Sequence, residues 1–162
     1  MSLRTLICSL VAASAATTAL AAEAPDLAAR LDVVAKAWAH ANFEISDKAA
    51  QGAAAARTAR AAEIIAQQYP NRAEPLVWEA IALSTEAGAD GGLHGLGLAK
   101  QARGLLERAE RMDPAALGDG SVYTSLGSLY AQVPGFPVGF GDAAKARAYF
   151  RKALAANPRG LD

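Results

Sequence analysis

Several side chains of this chain could do chemistry, but none has a reacting partner at a suggestive spacing. They are two histidines, a run of serines and three helical glutamates: His40, His94, Ser121, Ser125, Ser128, Glu63, Glu79 and Glu86. A serine nucleophile needs a base to activate it, and a metal site needs several ligands brought together. The histidines lie far apart and no histidine lies near the serines. We therefore predict no catalytic residue, metal or cofactor, and a protein that is not an enzyme.

The glycine-rich segment from Gly91 to Gly97 invites comparison with a phosphate-binding loop. The pattern of such a loop needs a preceding strand and a Gly-Lys-Ser/Thr sequence, and neither is present. Lys100 does not stand in such a Gly-Lys-Ser/Thr sequence, so it is not placed to bind a phosphate. We expect residues 88–97 to be an interhelical connection in which His94 is a solvated loop residue.

The composition favours close-packed helices. The chain has 162 residues, 16 basic and 16 acidic side chains, and 52% apolar residues, many of them alanine. This length is typical of one domain. A balanced charge argues against nucleic acid as a partner, because binding to a polyanion favours a clear basic excess.

The first 21 residues have the pattern of a secretory signal peptide. Arg4 is the positive residue, an apolar stretch runs over 6–16, and Ala19-Leu20-Ala21 is a small-x-small cleavage site. The stretch is short and interrupted by hydroxyl residues, which argues against a stable membrane span. We predict a mature domain of residues 22–162 in the periplasm or outside the cell. Cys8, the only cysteine, precedes the cleavage site and is not placed to carry a lipid anchor.

Three prolines recur at an interval of 44 residues, at Pro70, Pro114 and Pro158. Each closes a helical pattern, and self-similarity at such a period is the signature of a helical repeat array. Helical spacing of apolar residues predicts helices over 26–43, 47–68, 74–87, 98–112, 121–132 and 142–156. Ser46 or Asp47, and Asp142, are the expected N-caps.

One pair of predicted helices carries a family pattern. Tyr123-x-x-Leu126-Gly127-x-x-Tyr130, followed by Ala146-x-x-x-Phe150-x-x-Ala153-x-x-x-x-Pro158, resembles a tetratricopeptide repeat. The unit here is longer than the usual ~34 residues, and lengthened interhelical loops account for the difference. The resemblance implies an all-α, right-handed stack of antiparallel helix pairs, an α-solenoid of roughly three pairs. The chain stops where a further inner helix is expected, so we expect a truncated array or a flank covered by a partner or a second copy.

A narrower likeness covers about residues 121–158. Leu126-Gly127-Ser128-Leu129-Tyr130, the loop Val133-Pro134-Gly135-Phe136-Pro137-Val138-Gly139-Phe140-Gly141-Asp142, and Lys145-Ala146 resemble the TatT-like proteins. That resemblance implies a periplasmic partner of TRAP-type solute transporters. Some members of that group carry a lipid anchor, which this signal sequence does not provide.

The inner helices of such an array line its concave face, which makes that face the expected binding surface. The candidate partner- or ligand-binding residues are Trp78, Ile81, Tyr123, Thr124, Ser128, Tyr130, Phe136 and Phe140. Trp78 has the spacing of a core residue as well as the area of an anchor. Phe136 and Phe140 either line a binding surface or fold back over the neighbouring helix pair.

Two functions remain open from the sequence. The first is a non-enzymatic exported scaffold that binds a partner protein, which the TatT-like resemblance implies to be the solute-binding protein of a TRAP-type transporter. The second is a carrier of a small hydrophobic ligand held within the helical array. Self-association is compatible with either.

Overall fold

A computed structural model describes the chain from residue 15 to residue 160, with side chains from residue 26 onward. This part of the chain is all-α and has six helices. They are α1 (Ala15–Phe43), α2 (Lys48–Gln68), α3 (Glu74–Asp90), α4 (Gly92–Met112), α5 (Ser121–Gln132) and α6 (Ala143–Ala156). None of these helices has the length and apolar character needed to cross a membrane.

The predicted signal peptide falls largely outside the described part. Residues 1–14 are not described, and residues 15–21 form the beginning of α1. The first helix therefore begins earlier than the predicted Asp26. The alanine-rich sequence before Pro25 has a high intrinsic helix propensity, which explains the earlier start.

Two aspartates begin helices, as predicted. The Asp47 carboxylate accepts a hydrogen bond from the backbone N–H of Ala50 at 2.8 Å, at the start of α2. Asp142 accepts from the N–H groups of Ala144 and Lys145 at 2.9 and 3.1 Å, at the start of α6. Each carboxylate accepts hydrogen bonds from N–H groups that the first turn of a helix leaves free. Its negative charge also interacts favourably with the positive end of the helix dipole.

The predicted connection over residues 88–97 is wrong. Helix α3 continues to Asp90, Gly91 alone lies between the helices, and α4 begins at Gly92. The glycine run is helical because the two helices approach closely there. A Cβ on residue 95 would lie 2.5 Å from the carbonyl oxygen of Ala87, so only glycine fits. Packing between helices thus overrides the poor helix propensity of glycine.

Helices that follow one another in the chain pack together, and two apolar clusters result. Helix α2 packs on α3, α3 on α4, and α5 on α6, while α1 contacts both α2 and α3. The larger cluster joins α3, α4 and α5 around Val77, Leu106 and Leu126, which are fully buried. The smaller cluster joins α1 to α2 through Leu27, Val34 and Ile65 and others.

The contact between α5 and α6 depends on a missing side chain. Gly127 of α5 faces the ring of Phe150 of α6, and a Cβ at residue 127 would lie 2.7 Å from that ring. This close contact joins two residues of the repeat-like motif. It sets how near α6 lies to α5, and so where the loop between them, residues 133–142, emerges.

Candidate functional site

An open cavity of about 1000 Å³ lies between the ends of several helices, and we call it the groove. Its wall is built from the end of α1, the start of α2, the second half of α3, the start of α4, one face of α5 and the loop that follows α5. The lining residues are Trp38, Asn42, Lys48, Gln51, Ile81, Ser84, Thr85, Ala87, Gly88, Gly91, Gly92, Leu93, Gly95, Leu96, Ala99, Thr124, Ser125, Ser128, Leu129, Gln132, Val133, Pro134 and Val138.

One side of the groove is fixed by Trp38. Its indole N–H donates a hydrogen bond to the Thr85 hydroxyl at 2.9 Å, which ties α1 to α3. The indole also lies near the rings of Trp78 and Phe43, with centroid distances of 6.0 and 5.7 Å. A half-buried indole with its polar atom satisfied offers a rigid apolar surface to whatever enters the groove.

Lys48 and Gln51, both from the first turn of α2, give the groove its polar end. The Gln51 amide is buried, and its nitrogen points to the carbonyl oxygens of Ala41 and Asn42 at 3.3 and 3.5 Å. Its oxygen accepts a hydrogen bond from the Lys48 ammonium at 3.0 Å. The buried amide therefore holds the lysine at the groove wall.

Three of the eight predicted site residues line the groove: Ile81, Thr124 and Ser128. They come from the two predicted inner helices, which are α3 and α5. Ile81 belongs to α3, and Thr124 and Ser128 lie one turn apart on α5. The structure brings these three residues together.

The other five predicted site residues lie elsewhere: Trp78, Tyr123, Tyr130, Phe136 and Phe140. Trp78 is half-buried against the smaller core cluster, behind Trp38. Tyr130 is buried in the larger cluster, and Tyr123 stacks on α6. These positions point to packing because large aromatic rings at helical spacing fill the space between helices.

The two loop phenylalanines have different environments. The Phe140 ring is half-buried, packs edge-on against Tyr130 at a centroid distance of 5.6 Å, and has the Arg103 guanidinium 4.3 Å above it. Phe136 is 93% exposed. Its neighbours in the loop, Pro134 and Val138, line the groove. The loop is therefore anchored by Phe140 and presents Phe136 outward.

A row of tyrosines joins α5 to α6. Tyr149 stacks on Tyr130 at 5.8 Å and on Tyr123 at 6.4 Å, and its hydroxyl donates to Glu110 at 3.2 Å. Burial, and then the nearby Glu110 charge, raise the pKa of Tyr149 to about 12. The Lys152 ammonium lies about 5 Å from two of these rings. The rings of this row pack on one another, and they stabilise the last helix pair.

Glu79 is a buried carboxylate that sequence reasoning did not single out as unusual. It lies on α3 and is 6% exposed. Burial, followed by repulsion from Glu63 on α2, raises its pKa to about 7, while Arg108 on α4 opposes the rise. Glu79 lies outside the groove wall, so we treat it as part of the packing between α2, α3 and α4.

The remaining polar candidates do not converge. His94 lies on the exposed face of α4, and its Nδ1 is 2.8 Å from the Asp90 carboxylate. His40 makes a similar pair with Glu44 at 3.0 Å. Within residues 15–160, no group of three or more His, Cys, Asp or Glu side chains is placed to hold a metal ion.

Among the groove residues that the sequence did not single out are Asn42, Lys48 and Gln51. They come from α1 and α2, which lie before the repeat-like units and carry no motif. The polar side chains of these residues gave no periodic signal of their own. Only the position of α1 and α2 against α3 brings them to the cavity.

Comparison with protein-family models finds none that matches the chain. Comparison with curated protein sequences also finds no match.

Proposed function

We propose that this chain is a non-enzymatic, exported helical-repeat scaffold that binds a partner protein in the groove. The observation that carries the proposal is the groove itself, which is open and has a predominantly apolar wall. Protein interfaces gain affinity from a few rigid aromatic and apolar anchors in a concave site. Trp38, Ile81 and Leu96 provide such a surface from three different helices.

A tetratricopeptide-like stack of helix pairs is the architecture we propose for the array. It is supported by the packing of consecutive helices on one another and by the motif contact between Gly127 and Phe150. It is further supported by the buried alanines Ala102 and Ala146, which are 44 residues apart. A stack of this kind exposes its inner helices along one surface, where the groove lies.

The partner we propose is the solute-binding protein of a TRAP-type transporter, as the TatT-like resemblance implies. The segment that carries most of this resemblance, the loop over 133–142, forms part of the groove wall through Val133, Pro134 and Val138. Phe136 projects from the same loop into solvent. A partner seated over the groove would contact it.

A second candidate function is the carriage of a small hydrophobic ligand. It is favoured by the cavity volume of about 1000 Å³, because ligand sites in proteins range from about 300 to 1,000 Å³. The small side chains at Ser84, Ala99 and Ser128 leave this space open. In this alternative the loop over 133–142 covers a bound molecule.

The test compares what the mature protein retains from a periplasmic extract. We expect the wild type to retain a solute-binding protein and Phe136→Ala to retain less of it. Leu154→Ala is the matched control, since Leu154 is an exposed apolar residue of α6 and does not line the groove. Recovery of a small molecule in stoichiometric amount, with no protein partner, would contradict the scaffold function and favour the carrier function.

A further inference from the structure

The groove has one charged residue in its wall. Among the described residues that line it, Lys48 is a cation and all the others are neutral. No carboxylate in the described part lies within ion-pair distance of the Lys48 ammonium. Its nearest acidic neighbour in sequence, Asp47, already accepts the hydrogen bond that begins α2 and does not line the groove.

The Lys48 side chain is exposed to solvent, and its ammonium donates a hydrogen bond to a residue that is itself buried. Gln51 is only 9% exposed, and its amide nitrogen faces two carbonyl groups at the end of α1. The amide oxygen is therefore directed at the Lys48 ammonium, 3.0 Å away. An ammonium group has three N–H donors, so Lys48 can give this bond and still bind an anion.

The rest of the wall is mixed, with polar side chains at Asn42, Ser84, Thr85, Thr124, Ser125, Ser128 and Gln132. The Ser84 hydroxyl donates to the Ala80 carbonyl at 2.7 Å, within its own helix. The Thr85 hydroxyl accepts from Trp38 and donates to the Ile81 carbonyl at 3.3 Å. These hydroxyls are satisfied by the protein. Apolar side chains continue the wall at Leu96, Leu129, Val133 and Val138.

We propose that the groove binds an amphipathic monocarboxylate, with its carboxylate at Lys48 and its hydrocarbon chain against the apolar wall. This inference rests on the second function proposed above and names the ligand of that site. A single lysine balances a single negative charge, whereas a phosphate group carries more charge than this wall offsets. A charge-assisted hydrogen bond is stronger than a neutral one, so Lys48 favours an acid over an alcohol of the same length.

The test measures binding of decanoate and of decanol to the delipidated mature protein by titration calorimetry. We expect the wild type to bind decanoate more tightly than decanol. Lys48→Met should weaken decanoate binding about two- to fivefold, as expected for a solvent-exposed charge, and leave decanol binding unchanged. Lys48→Arg should retain the preference for the acid. Lys36→Met is the matched control, because Lys36 is an exposed lysine that pairs with Asp32 on α1 outside the groove.

Equal binding of the two ligands by the wild type would overturn the inference, as would a Lys48→Met variant that keeps the full preference. Either result would leave a groove that carries apolar molecules without a head-group site. Ser128→Trp, which places a large ring in the groove, should abolish binding of both ligands. If the folded wild type binds neither ligand, the inference and the carrier function both fail, and the scaffold proposal stands on the capture experiment.

Discussion

The indole nitrogen of Trp38 and the hydroxyl oxygen of Thr85 lie 2.9 Å apart and join α1 to α3 at the wall of the groove. Helix α1 precedes the repeat-like units, so this bond ties a segment without any motif to the predicted concave face. It also leaves the indole ring available as an apolar surface. The groove therefore includes residues of α1 as well as residues of α3 and α5.

Replacing Thr85 with valine keeps the shape of the side chain and removes the acceptor of the indole N–H. We expect the free energy of unfolding to fall by about 1 kcal/mol, since one partly buried donor loses its partner. Thr85→Ser keeps the hydroxyl and should cost less. Urea denaturation followed by Trp fluorescence measures both. A larger loss for Thr85→Ser than for Thr85→Val would show that the methyl group, and not the hydrogen bond, matters at this site.

Gly127 and Gly104 should respond oppositely to alanine. At residue 127 a Cβ would lie 2.7 Å from the Phe150 ring, so Gly127→Ala should reduce stability by about 1–3 kcal/mol. At residue 104, in the exposed interior of α4, nothing lies within 4 Å. Gly104→Ala should therefore raise stability by about 0.5–1 kcal/mol through better helix propensity. Thermal unfolding measures both variants, and a Gly127→Ala variant that is more stable than the wild type would contradict the described contact.

The buried Glu79 should make the protein less stable as the pH rises. Its pKa is about 7 in the folded state and close to the ordinary 4.5 in the unfolded chain, so folding favours the protonated form. Below pH 4.5 this site has no cost, and the free energy of unfolding should then fall by up to about 3 kcal/mol as the pH rises to about 7 and beyond. Urea unfolding at a series of pH values measures this slope.

Glu79→Gln should remove most of that slope and stabilise the protein at pH 8, because the amide stays neutral. Glu63→Gln is a weaker version of the same test, since it removes only the neighbouring negative charge. Arg108 has the opposite effect, because its positive charge lowers the pKa of Glu79. Arg108→Met should therefore make the slope steeper. Parallel stability profiles for the wild type and Glu79→Gln would show that Glu79 is not the group responsible.

Phe136 and Phe140 should separate binding from stability. Phe140→Ala loses the edge contact with Tyr130 and the Arg103 guanidinium above its ring, and should cost about 2 kcal/mol of stability. Phe136→Ala removes an exposed ring and should change stability by less than about 0.5 kcal/mol while weakening partner capture. Thermal unfolding and capture on the same samples measure both effects. Loss of stability in Phe136→Ala would place that ring in the core.

Much of the fold follows from local signals in the sequence. Asp47 and Asp142 have the side chain and position of N-caps, and both begin helices where predicted. The bounds of α5 were also predicted correctly. The glycines over 91–97 misled the prediction because their helical state depends on the close approach of α3 to α4, which no local pattern reveals.

The site was less predictable because it depends on which helices meet. Ile81, Thr124 and Ser128 line the groove and were also named from the sequence, because their helices were predicted to be inner helices of a repeat. Lys48 and Gln51 were not, since their role arises from the packing of α2 against the end of α1. The different environments of Phe136 and Phe140 likewise depend on the position of Tyr130, which a loop sequence does not encode.

The central claim is that the groove is where this protein binds its partner or ligand. The most direct measurement compares what the wild type, Ser128→Trp and Ala148→Trp each retain after incubation with a periplasmic extract. Ala148 is exposed on α6 and outside the groove wall, so it controls for the added ring. We predict that the wild type and Ala148→Trp retain the same protein or small molecule in stoichiometric amount and that folded Ser128→Trp loses it. Undiminished retention by Ser128→Trp, or no retention by the wild type, would contradict the claim.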